Sequence, residues 1–231
     1  EPVLGGKLDV ASRAPGKATV LDFQRYQSRT LAELGVEIRT GVEVTAEHVA
    51  AERPDAVIVA TGAAPLVPPI PGLDGPGVVD AQEILLARER IEPGERVVVI
   101  GGSATGCETA EFLIGTAGEI ALVEMLPTVG RGIELITRQR LIRHLRDGGV
   151  RILTNSRVTS VEPGRVHYET ADGQPLEIAA DRVALAIGWR PTGEALAAQL
   201  EGVEVHVVGD AQAPADFVAA INRGADAGLA V

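Results

Sequence analysis

The chain has one cysteine, six aromatic side chains and two lysines among its 231 residues. Each scarcity excludes something. Cys107 alone can form neither an internal disulfide nor a dithiol redox pair. The four histidines, His48, His144, His167 and His206, are scattered without metal-ligand spacing, so no metal site is expected. Nineteen arginines and two lysines stand against 32 acids, for a net charge of −11, and the basic residues form no cluster. Nucleic-acid binding needs clustered cations against phosphate, so no nucleic-acid partner is expected. No apolar run approaches the roughly 20 residues that cross a bilayer, and Glu1–Gly6 does not read as a secretory signal. No membrane partner is expected, and the cysteine usage fits a cytoplasmic chain.

What is abundant is small and aliphatic. Apolar residues make up 45% and aromatics only 3%, and there are 27 glycines, so the core must be valine, isoleucine, leucine and alanine around many tight turns. That composition points to an α/β fold with buried parallel strands. Helices are expected at about 17–34, 81–90, 104–116, 133–147 and 214–229. Strands are expected at Val36–Arg39, Ala56–Ala60, Arg96–Ile100, Ile120–Glu124, Arg151–Thr154, Arg182–Ile187 and Val203–Val208. Three short alternating strands between 158 and 178, with turns at Pro163-Gly164 and Asp172-Gly173, read as a meander. Four prolines between Pro65 and Gly72 exclude a helix or a central strand there, and 62–94 reads as a crossing linker.

The strongest local pattern is Arg96–Ile100, then Gly101, Gly102, Ser103, Ala104, Thr105 and Gly106, then Cys107 and Glu108. It reads as strand, glycine-rich turn and helix, the context that a dinucleotide fingerprint requires. Gly101 would make the tight turn and Gly106 would let the helix pack closely on the strand. Ser103 stands where a third glycine is usual, so its side chain would either crowd a diphosphate or donate to it. The helix N-terminus offers free N–H groups and a positive dipole end to an anion. Glu124 ends the next strand at a spacing suited to a ribose acid. A carboxylate there favours NADH over NADPH, and Arg131 keeps the second open.

Taken in order, these segments resemble the flavoproteins with two dinucleotide folds. The residues that carry the likeness are Leu4-Gly5-Gly6, the run from Val57 through Thr61 and Gly62 to Pro65, the fingerprint at 97–108, Gly188 with Arg190-Pro191, and Val207 through Gly209-Asp210. Val123-Glu124-Met125-Leu126-Pro127, Gly209-Asp210-Ala211 and the stretch Ala220–Gly224 look similar to one branch. That branch is the carboxy-terminal part of NADH:flavin oxidoreductases related to 2,4-dienoyl-CoA reductase, enoate reductase and trimethylamine dehydrogenase. The resemblance covers nearly the whole chain. It implies a Rossmann-like NAD(P)-binding domain with a β-meander at 94–194. It implies that this domain is inserted in an incomplete FAD-binding Rossmann-like domain made of 1–93 and 195–231. It also implies that Glu1 ends the strand whose acid meets the adenosine ribose of FAD, that Gly5 and Gly6 bring backbone close to cofactor, that Thr61, Gly62 and Gly188 are cofactor-binding residues, and that Gly209-Asp210 closes the flavin site.

The same resemblance implies that a first strand and glycine fingerprint of the FAD unit precede Glu1. It further implies an amino-terminal barrel with FMN and an iron–sulfur cluster in the same polypeptide. The chain is therefore expected to be part of a longer polypeptide, and to carry no stoichiometric FAD when purified alone. The implied activity is hydride passage from NADH to FAD, feeding a reductase portion elsewhere. Hydride transfer is cofactor chemistry, so no catalytic side chain is named. Two alternatives remain open at this point. One is a trimethylamine-dehydrogenase-like module with structural ADP and no use of NADH. The other is a degenerate nucleotide-binding domain without activity.

Overall fold

The computed structural model describes residues 3–231. In chain order it contains α1 (Lys7–Arg13), α2 (Val20–Glu33), α3 (Ala46–Glu52), β1 (Ala56–Val59), β2 (Ala63–Pro65), β3 (Val78–Asp80), α4 (Ala81–Leu85), β4 (Arg96–Ile100), α5 (Ala104–Leu113), β5 (Glu119–Val123), α6 (Leu135–Asp147), β6 (Arg151–Leu153), β7 (Ser156–Glu162), β8 (Arg165–Thr170), β9 (Pro175–Ala179), β10 (Arg182–Leu185), β11 (Trp189–Pro191), α7 (Gly193–Ala197), β12 (Glu204–Val207) and α8 (Phe217–Ala230), with a 3₁₀ turn at Gly209–Ala211. These elements divide into two compact units. One holds 3–6, 32–66 and 189–231, and the other holds 7–31 and 67–188. In chain order the third and fourth pieces join at the proline-rich segment, and the fourth and fifth join at Gly188-Trp189.

The larger unit is built on a five-stranded sheet of order β3-β10-β4-β5-β6, parallel throughout. Past the charged residues at their ends, Arg96, Glu119, Arg151, Arg182 and Asp80, its strands are aliphatic because both faces are covered. In β4, Val97 and Val99 join a core cluster with Cys107, Leu113 and Leu145 on the helix side, while Val98 and Ile100 join another with Val166 and Tyr168 on the meander side. In β5, Ile120 and Leu122 take the helix side, and Ala121 and Val123 the other. The meander β7-β8-β9 is antiparallel, with a register shift between Val158 and Ser160. Asp181 ties the starts of β10 and β4 together. Its carboxylate accepts from Arg96 N at 2.9 Å, Nε at 2.9 Å and Nη2 at 2.6 Å, and the guanidinium holds it below the usual carboxylate range.

The smaller unit has two two-stranded sheets, parallel β1-β12 and antiparallel β2-β11. Here two expectations are corrected. The segment 36–39 forms no strand, and Val36, Ile38, Val42 and Val44 are exposed. An alternating apolar pattern gains a strand only where a neighbour takes its hydrogen bonds, and among the described residues none lies beside it. The same holds for the expected burial of the 56–60 strand: only Val59 is buried, and Ile58 is exposed. A third correction concerns the stretch 62–94. It supplies β3, which pairs with β10, and β2, which pairs with β11, so it is more than a linker. Helix α1, absent from the sequence expectation, precedes α2, and α3 begins at a capping box between Thr45 and His48.

Candidate nucleotide-binding site

The parallel sheet of the larger unit points the C-terminal ends of β3, β10, β4, β5 and β6 the same way. Strand β4 leads through α5 to β5 on one side, while its other neighbour, β10, comes from later in the chain. The crevice at such a reversal of strand order is where open α/β sheets bind ligands. The turn Gly101–Gly106 lies there. Gly101 has φ +102°, and a Cβ on it would run into the backbone of Ala186. A Cβ on Gly106 would collide with the carbonyl oxygen of Gly101, so helix and strand approach at a distance only glycine allows.

Ser103 is the N-cap of α5, and its side chain makes no capping bond. Its hydroxyl donates instead to Ala186 O at 3.4 Å. The side chain is thus turned toward the β10 end of the site. The first helical hydrogen bond runs from Cys107 N to Ser103 O at 3.0 Å. The amides of Ala104, Thr105 and Gly106 precede it and have no acceptor within the helix. Together with the helix dipole they make an anion-receiving end.

Glu124 is 9% exposed, and both carboxylate oxygens are engaged. Oε2 accepts from Gly102 N at 2.6 Å and Oε1 from Leu126 N at 2.7 Å. A Cβ on Gly102 would press on Glu124 and Val129. The acid is therefore locked against the turn, and each oxygen keeps a lone pair for a further donor such as a ribose hydroxyl. The turn, the helix end and the oriented acceptor fit a dinucleotide, so the expected residues Gly101 through Gly106 and Glu124 come together in one place. Cys107 is fully buried, and burial pushes its thiol up to about 12. It packs helix on sheet and is not a reactive thiol.

Sequence reasoning missed one side chain of this unit. Lys17 forms an ion pair with Glu108, whose side chain is 12% exposed, near the start of α5. The two are 91 residues apart, and no local pattern reports such a contact.

In the smaller unit, β1 and β12 run parallel with Val59 opposite Val207. Thr61-Gly62 and Gly209-Asp210 therefore leave the sheet at the same end. Gly62 has φ +77° and Gly209 φ +59°. The Thr192 hydroxyl donates to Gly62 O at 2.8 Å. Asp210 Oδ1 accepts from Ala215 N at 3.1 Å, and Arg223 Nη1 donates to Gly209 O at 3.2 Å and Ala213 O at 2.6 Å. Thr192 and Arg223 are the residues that sequence reasoning did not single out. Gly5 and Gly6 form the turn before α1, both at positive φ, and Gly188 ends the larger unit's last segment at φ +148°. Glu1 lies outside the described residues. Among the described residues no histidine, cysteine and acid cluster could hold a metal ion.

Residues 35–213 match the family model described as pyridine nucleotide-disulphide oxidoreductase. The chain belongs to that family. Among curated relatives, it is 37% identical over 225 residues to the "NADH oxidase" of Thermoanaerobacter brockii, which covers 96% of this chain and 35% of that protein. It is 38% identical over 229 residues to the "Bilirubin reductase" of Mediterraneibacter gnavus, covering 99% and 35%. A solved structure of a 2-naphthoyl-CoA reductase superposes with a TM-score of 0.89 at 26% identity, covering 99% of this chain and 35% of the other. The chain spans about a third of the length of these relatives. Pyridine nucleotide-disulphide oxidoreductase membership fits the parallel sheet and the glycine turn described above, and it supports an oxidoreductase module of the NAD(P)H- and flavin-using kind.

Proposed function

We propose that this chain is the dinucleotide-binding part of an NADH-dependent flavin oxidoreductase, of the branch that includes 2,4-dienoyl-CoA reductase and enoate reductase. The observation that carries the reading is the locked Glu124 carboxylate beside the Gly101–Gly106 turn. When bound, the nicotinamide supplies a hydride and the flavin accepts it. The residues of this chain bind and orient. The amides of Ala104, Thr105 and Gly106 take the diphosphate, and Glu124 takes the ribose diol and disfavours a 2′-phosphate by charge repulsion. Thr61-Gly62 and Gly209-Asp210 give the smaller unit one side of a flavin site, and Glu1 would add to it. The rest of that site, together with FMN, an iron–sulfur cluster and the flavin barrel, belongs to the longer polypeptide in this reading. No proton is held or moved by a side chain of this chain.

Ser103, which stands where a third glycine is usual, is the residue that favours the alternative with structural ADP and no use of NADH. Its hydroxyl is directed at Ala186 O, which weakens that alternative by leaving the helix end open. Calorimetric titration of the chain with NADH and NADPH tests the choice. NADH is expected to bind, with NADPH weaker by roughly tenfold or more, about 1.4 kcal/mol. No heat with either nucleotide would favour the ADP-only or the degenerate module.

A further inference from the structure

The loop between β5 and α6 is stitched onto the glycine turn. Gly130 N donates to Gly102 O at 2.6 Å, and Ser103 and Arg131 form an isolated parallel bridge. Gly130 has φ +73°, and the stem of Arg138 lies over it: a Cβ there would meet Arg138 Cγ at 3.0 Å and Cδ at 3.3 Å. Arg138, half-buried on the first turns of α6, thus braces the residue that holds the turn.

Its charge is also uncommitted. The favourable partner for Arg138 on its own helix is the acid four residues before it, Glu134. Glu134 is used otherwise: Oε1 accepts from Ile136 N and Oε2 from Thr137 N, both at 2.9 Å, capping α6. Glu124, at the end of β5, accepts from Gly102 N and Leu126 N and forms no ion pair with Arg138. Among the described residues Arg138 has no ion pair. The same Cβ on Gly130 would meet Arg138 Nε at 3.7 Å, and Gly130 N is bonded to Gly102 O, so the charge lies close to the turn. A half-buried guanidinium costs desolvation, and a chain with 32 acids leaves this one unpaired beside an anion-receiving helix end.

We propose that Arg138 is a positioning residue for the nucleotide diphosphate, bracing Gly130 against the glycine turn with its stem and keeping uncompensated positive charge beside it. The proposal rests on the nucleotide reading given above. It predicts that stem and charge separate by substitution. Arg138→Met keeps the brace and loses the charge, Arg138→Lys keeps both in part, and Arg138→Ala loses both.

The test is the affinity for ADP, by calorimetry at low and high salt, for the wild-type chain and the three variants. Arg138→Met should bind ADP roughly three- to tenfold more weakly at low salt. The difference should shrink at high salt, because screening removes only the electrostatic part. Arg138→Lys should recover most of the affinity, and Arg138→Ala should be weaker than Arg138→Met at both salts. Equal ADP affinity for wild type and Arg138→Met would overturn the charge role, and so would a loss that salt does not change. Equal affinity for Arg138→Ala and Arg138→Met would overturn the brace. If the wild-type chain binds no ADP, the nucleotide reading fails and the proposal falls with it. If the wild type binds and the variants do not differ from it, only the proposal fails.

Discussion

At the scale of single residues, Glu124 couples folding to recognition. Its carboxylate satisfies two backbone amides, Gly102 N and Leu126 N, in a place nearly closed to water. Replacing it with alanine leaves two buried donors without an acceptor. Glu124→Ala is therefore expected to cost about 1–3 kcal/mol of stability, read as a lower urea midpoint, and to erase the preference for NADH over NADPH. A variant that keeps full stability would show that water reaches those amides. Cys107 makes a second prediction. Its thiol is raised from 9.0 to about 12 because burial disfavours the thiolate. A raised acid stabilises the fold only while it stays protonated in both states. That contribution is intact below pH 9 and is lost as pH rises toward 12. Iodoacetamide should leave Cys107 unlabelled in the folded chain and label it after unfolding. Cys107→Ala should flatten the alkaline fall in stability. Gly101, Gly106 and Glu124 were legible in the sequence because they are close together in the chain. Lys17, Thr192 and Arg223 were not, because their partners are set by tertiary packing.

At the scale of elements, the strand-turn-helix β4-α5 is the part that local chemistry specifies most fully. Four aliphatic residues after Arg96, a glycine at positive φ and a glycine in the first turn of the helix agree with one another, and the structure follows them. The close approach at Gly106 has a testable consequence. In Gly106→Ala the new methyl would meet the Gly101 carbonyl, so α5 must shift away from the turn. Overpacking of this kind costs about 1–3 kcal/mol, and the moved amides of Ala104 and Thr105 should weaken NADH binding more than stability alone accounts for. Unchanged NADH affinity in a folded Gly106→Ala chain would argue that the diphosphate does not sit on this helix end. The elements that sequence patterns missed share one cause. Strand β3 follows a proline-rich stretch and is only three residues long, so its place beside β10 is a tertiary fact. The segment 36–39 has the right alternation and lacks a neighbour, so a correct local pattern ends as an exposed loop.

At the scale of the whole molecule, the scarcities of the sequence and the fold agree. The two core clusters hold one aromatic, Tyr168, and are otherwise packed from valine, isoleucine, leucine, alanine and Cys107 on both faces of one parallel sheet. Among the described residues no helix is long and apolar enough to cross a membrane. The two compact units divide the candidate residues cleanly, with the glycine turn and Glu124 in one and Thr61-Gly62 with Gly209-Asp210 in the other. The central claim is that NADH is received by the first of these sets. An amide NMR spectrum titrated with NADH reads it directly. The expected result is that shifts concentrate on Gly101, Gly102 and Ala104 through Gly106, with Leu126 and Gly130 following through their bonds to Glu124 and Gly102. Shifts confined to the unit that holds Gly62 and Gly209, or no shifts at saturating NADH, would contradict it.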